Sequence, residues 1–377
     1  MAEETLTVKR RFDLPELNTL GGATIKHVAI GYETYGKLND ARDNAILVAH
    51  FFSGTSHAAG RYAPDDPQPG YWDAIIGPGK AVDTDRFFVI ASDTLINLNV
   101  KDSNVITTGP ASIDPATGKP YGLTFPVISI GDFIRVQKAL IDSLGIGRLH
   151  AVMGPSMGGL QTFDWAATFP DRVGRIVPVI AAPNFGGWLT AWLSMWGQPI
   201  RLDPNWRGGD YYDGAPPLAG LEGALRIMTL HALHSRWVDE SCGRALAPGG
   251  DIGDLAASPY AVERTLADGA QLRARVADAN HLLYLARANQ NYIPGAGAGA
   301  KSADEGLARI KAPALVLYAP DDQVFLPEWI LSAVAALRHN GVTVETGEIH
   351  GPYGHYNGIM RIADSAPQIA AFLTRDF

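Results

Sequence analysis

The sequence predicts an α/β protein built on a mainly parallel sheet with helices on both faces and a helical insertion. Three observations predict it. Short, almost wholly apolar β-type runs alternate with helical patterns, as strands covered on both sides require. That alternation lapses over residues 183–304 and resumes afterwards. The chain has 377 residues, of which 46% are apolar, enough for one large core.

The strands are read in order. "NAILVAH" (44–50), "RFFVIASD" (86–93), "RLHAVMG" (148–154) and "RIVPVIAA" (175–182) come before the interruption, and "ALVLYAP" (314–320) comes after it. The clearest helix covers 129–144. Ile130, Phe133, Ile134, Leu140, Ile141 and Leu144 share one face there, behind Ser129 as N-cap. Residues 183–304 hold five of the eight tryptophans, several helical patterns and the tract "PGAGAGA" (294–300), read as a flexible connector. The expected division is a core over 1–182, a helical lid over 183–304, and the rest of the core over 305–377. The lid is expected at the strands' C-terminal ends, where open α/β sheets bind ligands.

Composition narrows the function. A net charge of −8 without a basic patch argues against nucleic acid and anionic membranes as partners. Cys242 is the only cysteine, so an internal disulfide and a cysteine-rich metal site are excluded. "MAEETLTVKRRFDLPEL" lacks an apolar stretch of the secretory kind, and no run is long enough to span a bilayer, so a cytoplasmic protein is expected.

The chemistry centres on "GPSMG" (154–158), a Gly-x-Ser-x-Gly at a strand-to-helix turn. This is the nucleophile elbow of α/β-hydrolases. The serine needs a strained turn that lifts its hydroxyl above the sheet, and small neighbours let the backbone approach; Gly158 and Gly159 suit that crowding. By itself the pentapeptide also fits an N-cap serine with packing glycines. Hydrolase triads run Ser, acid, His along the chain. Asp321-Asp322 follow one strand run, and "HGPYGHYNG", with His350 and His355, follows the next. An oxyanion hole needs the amide after the nucleophile, here Met157, and one from an early loop, here Phe51 or Phe52 in "HFFSGTSHAAG" (50–60). Ser56 is a decoy in that loop. His50 and His57 lack a third ligand at zinc spacing, so no metal is expected.

Four segments carry a family resemblance: "GYWDAIIGPGKAVDTDRFFVIASD", "TGPASIDPATGKPYGLTFPVISIGDFIRVQKALIDSLGI", "GPSMGGLQTFDWA" and "DPNWRGGDYY". Together they resemble the homoserine O-acetyltransferase family, over most of 10–212 and again over 312–360. The resemblance implies Ser156 as nucleophile, Asp322 as acid, His355 as base, and the amides of Phe52 and Met157 as oxyanion donors. It also implies ping-pong transfer from acyl-CoA to an alcohol, no bound cofactor, and dimers formed through the lid. Small-molecule esters, alcohols and acyl-CoA are the expected partners.

The departures fall around the expected acceptor. The family's homoserine enzymes carry Asp after the catalytic His, and Tyr356 stands here. Their lid arginine is replaced by Leu225, with Arg226 one position on, about 100° round a helix. The stretch "TLINLNVKDSNVIT" is longer and more polar than usual. The sequence therefore predicts serine-dependent acyl transfer to an acceptor other than homoserine. Its alternatives are hydrolysis of a small ester by the same triad, and a non-catalytic binder on the hydrolase fold.

Overall fold

The computed structural model describes residues 6–377. Eight strands form one sheet: β1 (Arg10–Asn18), β2 (Thr24–Tyr35), β3 (Ala45–Ala49), β4 (Phe88–Ser92), β5 (Ala151–Pro155), β6 (Ile176–Val179), β7 (Ala314–Tyr318) and β8 (Val344–Glu348). Their spatial order is β1-β2-β4-β3-β5-β6-β7-β8. β1 pairs with β2, and β2 with β4, in antiparallel fashion. The pairs from β4 to β8 are parallel. The antiparallel pair β1–β2 has no counterpart in the sequence reading. Much of β1 is exposed, so it lacks the continuous apolar run that marked the central strands.

The central strands are apolar throughout because both faces are covered. In β3, Ala45 and Leu47 join one apolar cluster while Ile46 and Val48 join the other. β5 divides in the same way, with Val152 on one side and Ala151 and Met153 on the other. β3 is the switch point, since the chain turns to β4 on one side and later to β5 on the other. A crevice therefore opens above β3 and β5 at their C-terminal ends.

Helix α1 (Ile130–Ser143) begins after Ser129, as expected. The Asp132 carboxylate closes its first turn by accepting from the Ser129 amide at 2.9 Å. α2 (Met157–Thr168) follows the elbow with eleven of its twelve residues buried, so it is a core helix. Between β6 and β7 lie α3 (Gly187–Trp196), α4 (Gln198–Leu202), α5 (Leu218–Ala232), α6 (Ser235–Ser241), α7 (Ala261–Ala274) and α8 (Ala279–Gln290). α9 (Ala303–Leu307), α10 (Pro327–His339), α11 (Asn357–Met360) and α12 (Ala366–Thr374) complete the chain.

Two segments within 183–304 are tightly held. α8 lies within 183–304, yet ten of its twelve residues are buried and its Tyr284 hydroxyl donates to the Phe125 carbonyl. The tract 294–300 is not a free connector. Gly295 donates its amide to the buried Asp164 carboxylate at 2.8 Å, and Ala296–Ala298 form a single 3-10 turn. Glycine serves the turn geometry here, with φ of 73° at Gly295 and 95° at Gly299.

Among the described residues, no helix is long and apolar enough to cross a membrane.

Candidate active site

Ser156 sits between β5 and α2 with φ 57° and ψ −120°. That backbone costs on the order of 1–3 kcal/mol and persists only where its surroundings enforce it. The Ser156 amide donates to the Val179 carbonyl of β6 at 2.9 Å. A Cβ on Gly154 or Gly158 would run into the Ala49 carbonyl, and one on Gly159 into Ala181. The glycines are thus demanded by contact with β3 and with the segment after β6.

His355 and Asp322 reach the serine from two later strand ends. His355 Nε2 lies 2.8 Å from Ser156 Oγ, and His355 Nδ1 lies 2.7 Å from Asp322 Oδ2. A carboxylate only accepts, so Nδ1 carries the proton and Nε2 is left to accept from the serine hydroxyl. The other oxygen, Oδ1, accepts from the amides of Val324 at 2.8 Å and Phe325 at 3.0 Å. Ser156, Asp322 and His355 are all buried. Asp321 lies 3.6 Å from Arg236, and His350 pairs with Glu348 at 3.0 Å on the surface. Of the neighbouring acids and histidines, Asp322 and His355 are the two that are hydrogen-bonded to each other.

Phe52 lies in the loop after β3, beside the start of α2, whose first residue is Met157. Gln161 Nε2 donates to the His50 carbonyl at 3.3 Å, fixing the loop against α2. The Phe52 ring stands edge-on to Trp196 of α3 at 5.4 Å. Asn97 and Asn99 prop the same loop, donating to the carbonyls of Gly54 and Ser53, each at 3.0 Å. These supports were missed in the sequence, because their partners are backbone atoms more than 40 residues away. Within the polar stretch 94–107, Asn97 and Asn99 thus serve as loop support.

His50 and His57 each have partners of their own. His50 is buried, with Nδ1 2.7 Å from the Phe51 carbonyl and Nε2 3.2 Å from Asn97 Nδ2. Burial pushes it down to about 4 against the weaker pull of that carbonyl. His57 pairs with Glu33 at 3.1 Å. Burial alone would raise the Glu33 carboxyl, but His57, Lys9 and Tyr62 together bring it down to about 2. The decoy Ser56 belongs to this cluster, its hydroxyl bonded to Lys9 and its amide to Asp93. No group of three or more His, Cys, Asp or Glu side chains is placed to hold a metal among the described residues.

The cover is tied to the acid's loop. His231 of α5 sits with Nε2 3.1 Å from the Gln323 carbonyl and its ring stacked on Trp192 at 4.1 Å. Burial pushes this histidine down to about 4, so it is neutral and donates.

The three residues expected to touch substrate have different fates. Tyr356 is half-buried and lines a cavity of about 360 Å³ with Ser53, Thr229, Leu233 and Trp237. Leu225 is fully buried in the apolar core and does not line it. Arg226 lies 3.7 Å from Glu222 and borders a separate depression with Arg264 and Asp268. The helix explains both: a residue one step along α5 points about 100° away. Neither Leu225 nor Arg226 faces this cavity.

A family profile described as the alpha/beta hydrolase fold matches residues 69–359. A homoserine O-acetyltransferase from Solidesulfovibrio magneticus is 38% identical over 97% of this chain and 92% of its own. The chain belongs to the homoserine O-acetyltransferase family. As a member of this family within the α/β-hydrolase superfamily, the protein is an acyltransferase or ester hydrolase. Among solved structures, homoserine O-acetyltransferase from Bacillus anthracis superposes with a TM-score of 0.92, 36% identity and 99% coverage of both chains. Esterase E22 superposes with a TM-score of 0.94 and 46% identity, over 98% of this chain and all of its own. This homoserine O-acetyltransferase family member thus resembles both transferases and an esterase.

Proposed function

We propose that the protein cleaves a small ester through an acyl-Ser156 intermediate, with water rather than homoserine completing the reaction. The hydrogen-bonded chain Ser156–His355–Asp322 carries the reading. His355 Nε2 accepts the serine proton as Oγ attacks the acyl carbon, then returns it to the departing alkoxide. Asp322 holds the tautomer and stabilises the imidazolium. The amides of Phe52 and Met157 are assigned to the oxyanion. In the second half His355 takes a proton from water as its oxygen attacks the acyl carbon, then returns that proton to the departing Ser156 Oγ, which releases the acid and restores the free enzyme.

Tyr356 supports the choice of second acceptor. Homoserine is a zwitterion, and among the described residues no acidic side chain lines the cavity beside Tyr356. The likeness to esterase E22 points the same way. The resemblance to the homoserine O-acetyltransferases favours a second reading, transfer from acyl-CoA to another alcohol.

Turnover of p-nitrophenyl acetate, set beside acetyl-CoA with and without added alcohols, separates these outcomes. Ester cleavage without CoA release is expected; CoA release only with an alcohol would favour transfer. Ser156→Ala is expected to abolish turnover and labelling by a fluorophosphonate, and retained labelling would sink the mechanism.

A further inference from the structure

Arg273 of α7 borders the same cavity as Tyr356 and Ser53. Those two residues directly follow His355 and Phe52 in the chain, so the cavity wall lies one residue from the proposed base and from an assigned oxyanion amide. Arg273 Nη1 donates to Thr229 Oγ1 at 2.8 Å, and the Thr229 hydroxyl donates to the Leu225 carbonyl at 2.7 Å. The guanidinium is thereby oriented by a short relay that contains no negative charge. Nη2 is buried and makes no hydrogen bond within the protein. Among the described residues Arg273 has no carboxylate within ion-pair distance, and the cavity contains no Asp or Glu.

A guanidinium has five donors and keeps its charge at every working pH, so an unpaired one beside a cavity lacks its natural complement. The rest of the lining includes Leu233, Trp237 and Leu266, which suits an apolar body. We propose that Arg273 is a specificity-determining residue that binds a carboxylate on the ester substrate. This rests on the acyl-serine reading above. The substrate class is an ester with a free carboxylate at one end and an apolar segment between. The carboxylate can belong to the acyl part, as in a half-ester of a dicarboxylic acid, or to the alcohol part, as in an acylated hydroxy acid. No step of the chemistry changes; the ion pair positions the ester carbonyl over Ser156 Oγ.

The test compares carboxylated esters with neutral counterparts. Monomethyl glutarate against methyl pentanoate probes the acyl side, and 4-acetoxybenzoate against phenyl acetate probes the alcohol side. For one pair, kcat/KM is expected to favour the carboxylated ester by about ten- to hundredfold, the usual range for a charge-assisted pair. Arg273→Met, which keeps the stem but not the charge, is expected to bring that ratio close to one, mainly through KM. Arg273→Lys is expected to restore part of it. Because each variant is read as a ratio between two substrates, partial misfolding cancels. No preference in the unmodified protein, or one that survives Arg273→Met, overturns the proposal. Turnover of neutral esters in that case leaves the acyl-serine reading intact. If no ester is turned over, 4-acetoxybenzoate is titrated into Ser156→Ala protein and followed by tryptophan fluorescence, with Trp237 in the cavity wall. Binding that needs Arg273 upholds the proposal, and absence of binding overturns it.

Discussion

Asn97 Nδ2 donates to the carbonyl of Gly54 at 3.0 Å, across 43 residues of chain and entirely within the buried interior. The same amide group lies 3.2 Å from His50 Nε2, and Asn99 holds Ser53 in parallel. The loop that carries Phe52 is therefore braced from behind. Asn97→Ala would leave a buried carbonyl unpaired, costing about 1–3 kcal/mol. We expect a lower melting temperature, and a kcat reduced by tenfold or more with KM little changed, because an oxyanion amide acts chiefly in the transition state. An Asn97→Ala enzyme with a normal kcat would show that the brace does not position the Phe52 amide.

Asp322→Asn tests the tautomer. Oδ1 keeps its two amide partners, Val324 and Phe325, so the loop should hold its shape. The new amide nitrogen would face His355 Nδ1 and turn it into an acceptor. The proton then sits on Nε2, where the serine proton must go. A fall in kcat on the order of 10³–10⁴-fold is expected, with an unchanged circular dichroism spectrum. A loss below tenfold would remove Asp322 from the triad.

Asp164 gives a pH prediction with a definite sign. Burial raises this carboxyl to about 7, against the opposing pull of the Gly295 amide and the Thr168 hydroxyl. In the unfolded chain it titrates near 3.9. The folded state therefore binds the extra proton between about pH 4 and 7. Its contribution to stability is complete below pH 4 and is lost as pH rises through 7. Asp164→Asn cannot ionise, and its stability relative to the unmodified protein should rise between pH 5 and pH 8. Urea midpoints at both pH values supply the measurement; a constant difference would mean that Asp164 is ionised in the folded protein throughout.

Tyr356→Asp addresses homoserine. A tyrosine ring attracts a cation by about 0.5–2 kcal/mol, too little to replace a carboxylate partner for a buried ammonium. We expect negligible homoserine acetylation by the unmodified protein and a measurable rise in the variant, followed as acetyl-CoA consumption with and without homoserine. Leu225→Arg is a poor companion change, since Leu225 is wholly buried and a guanidinium there would have no solvent. Rapid acetylation of homoserine by the unmodified enzyme would refute the argument from Tyr356.

The candidate site was legible where chemistry is tied to local backbone. Ser156 announces itself because the elbow demands glycine at 154 and 158, whatever the rest of the chain does. Asp322 and His355 were legible as pairs with Asp321 and His350, since each follows a strand end. Only the family resemblance chose between neighbours, and the structure then placed the chosen two within hydrogen-bond distance of each other.

What the sequence determined by itself was the positions of the central strands along the chain, the switch from alternation to insertion, and the elbow. These follow from periodicity and from turn stereochemistry, both short-range properties. What only the tertiary structure decided was the direction of side chains on covering helices and the partners of polar groups far apart in the chain. Leu225, Arg226 and Arg273 show why. A helix turns each successive residue by about 100°, so a one-residue uncertainty decides between core, surface and cavity. Arg273 reaches the cavity from α7 by packing across α5, against Thr229, and no spacing within the sequence encodes that meeting.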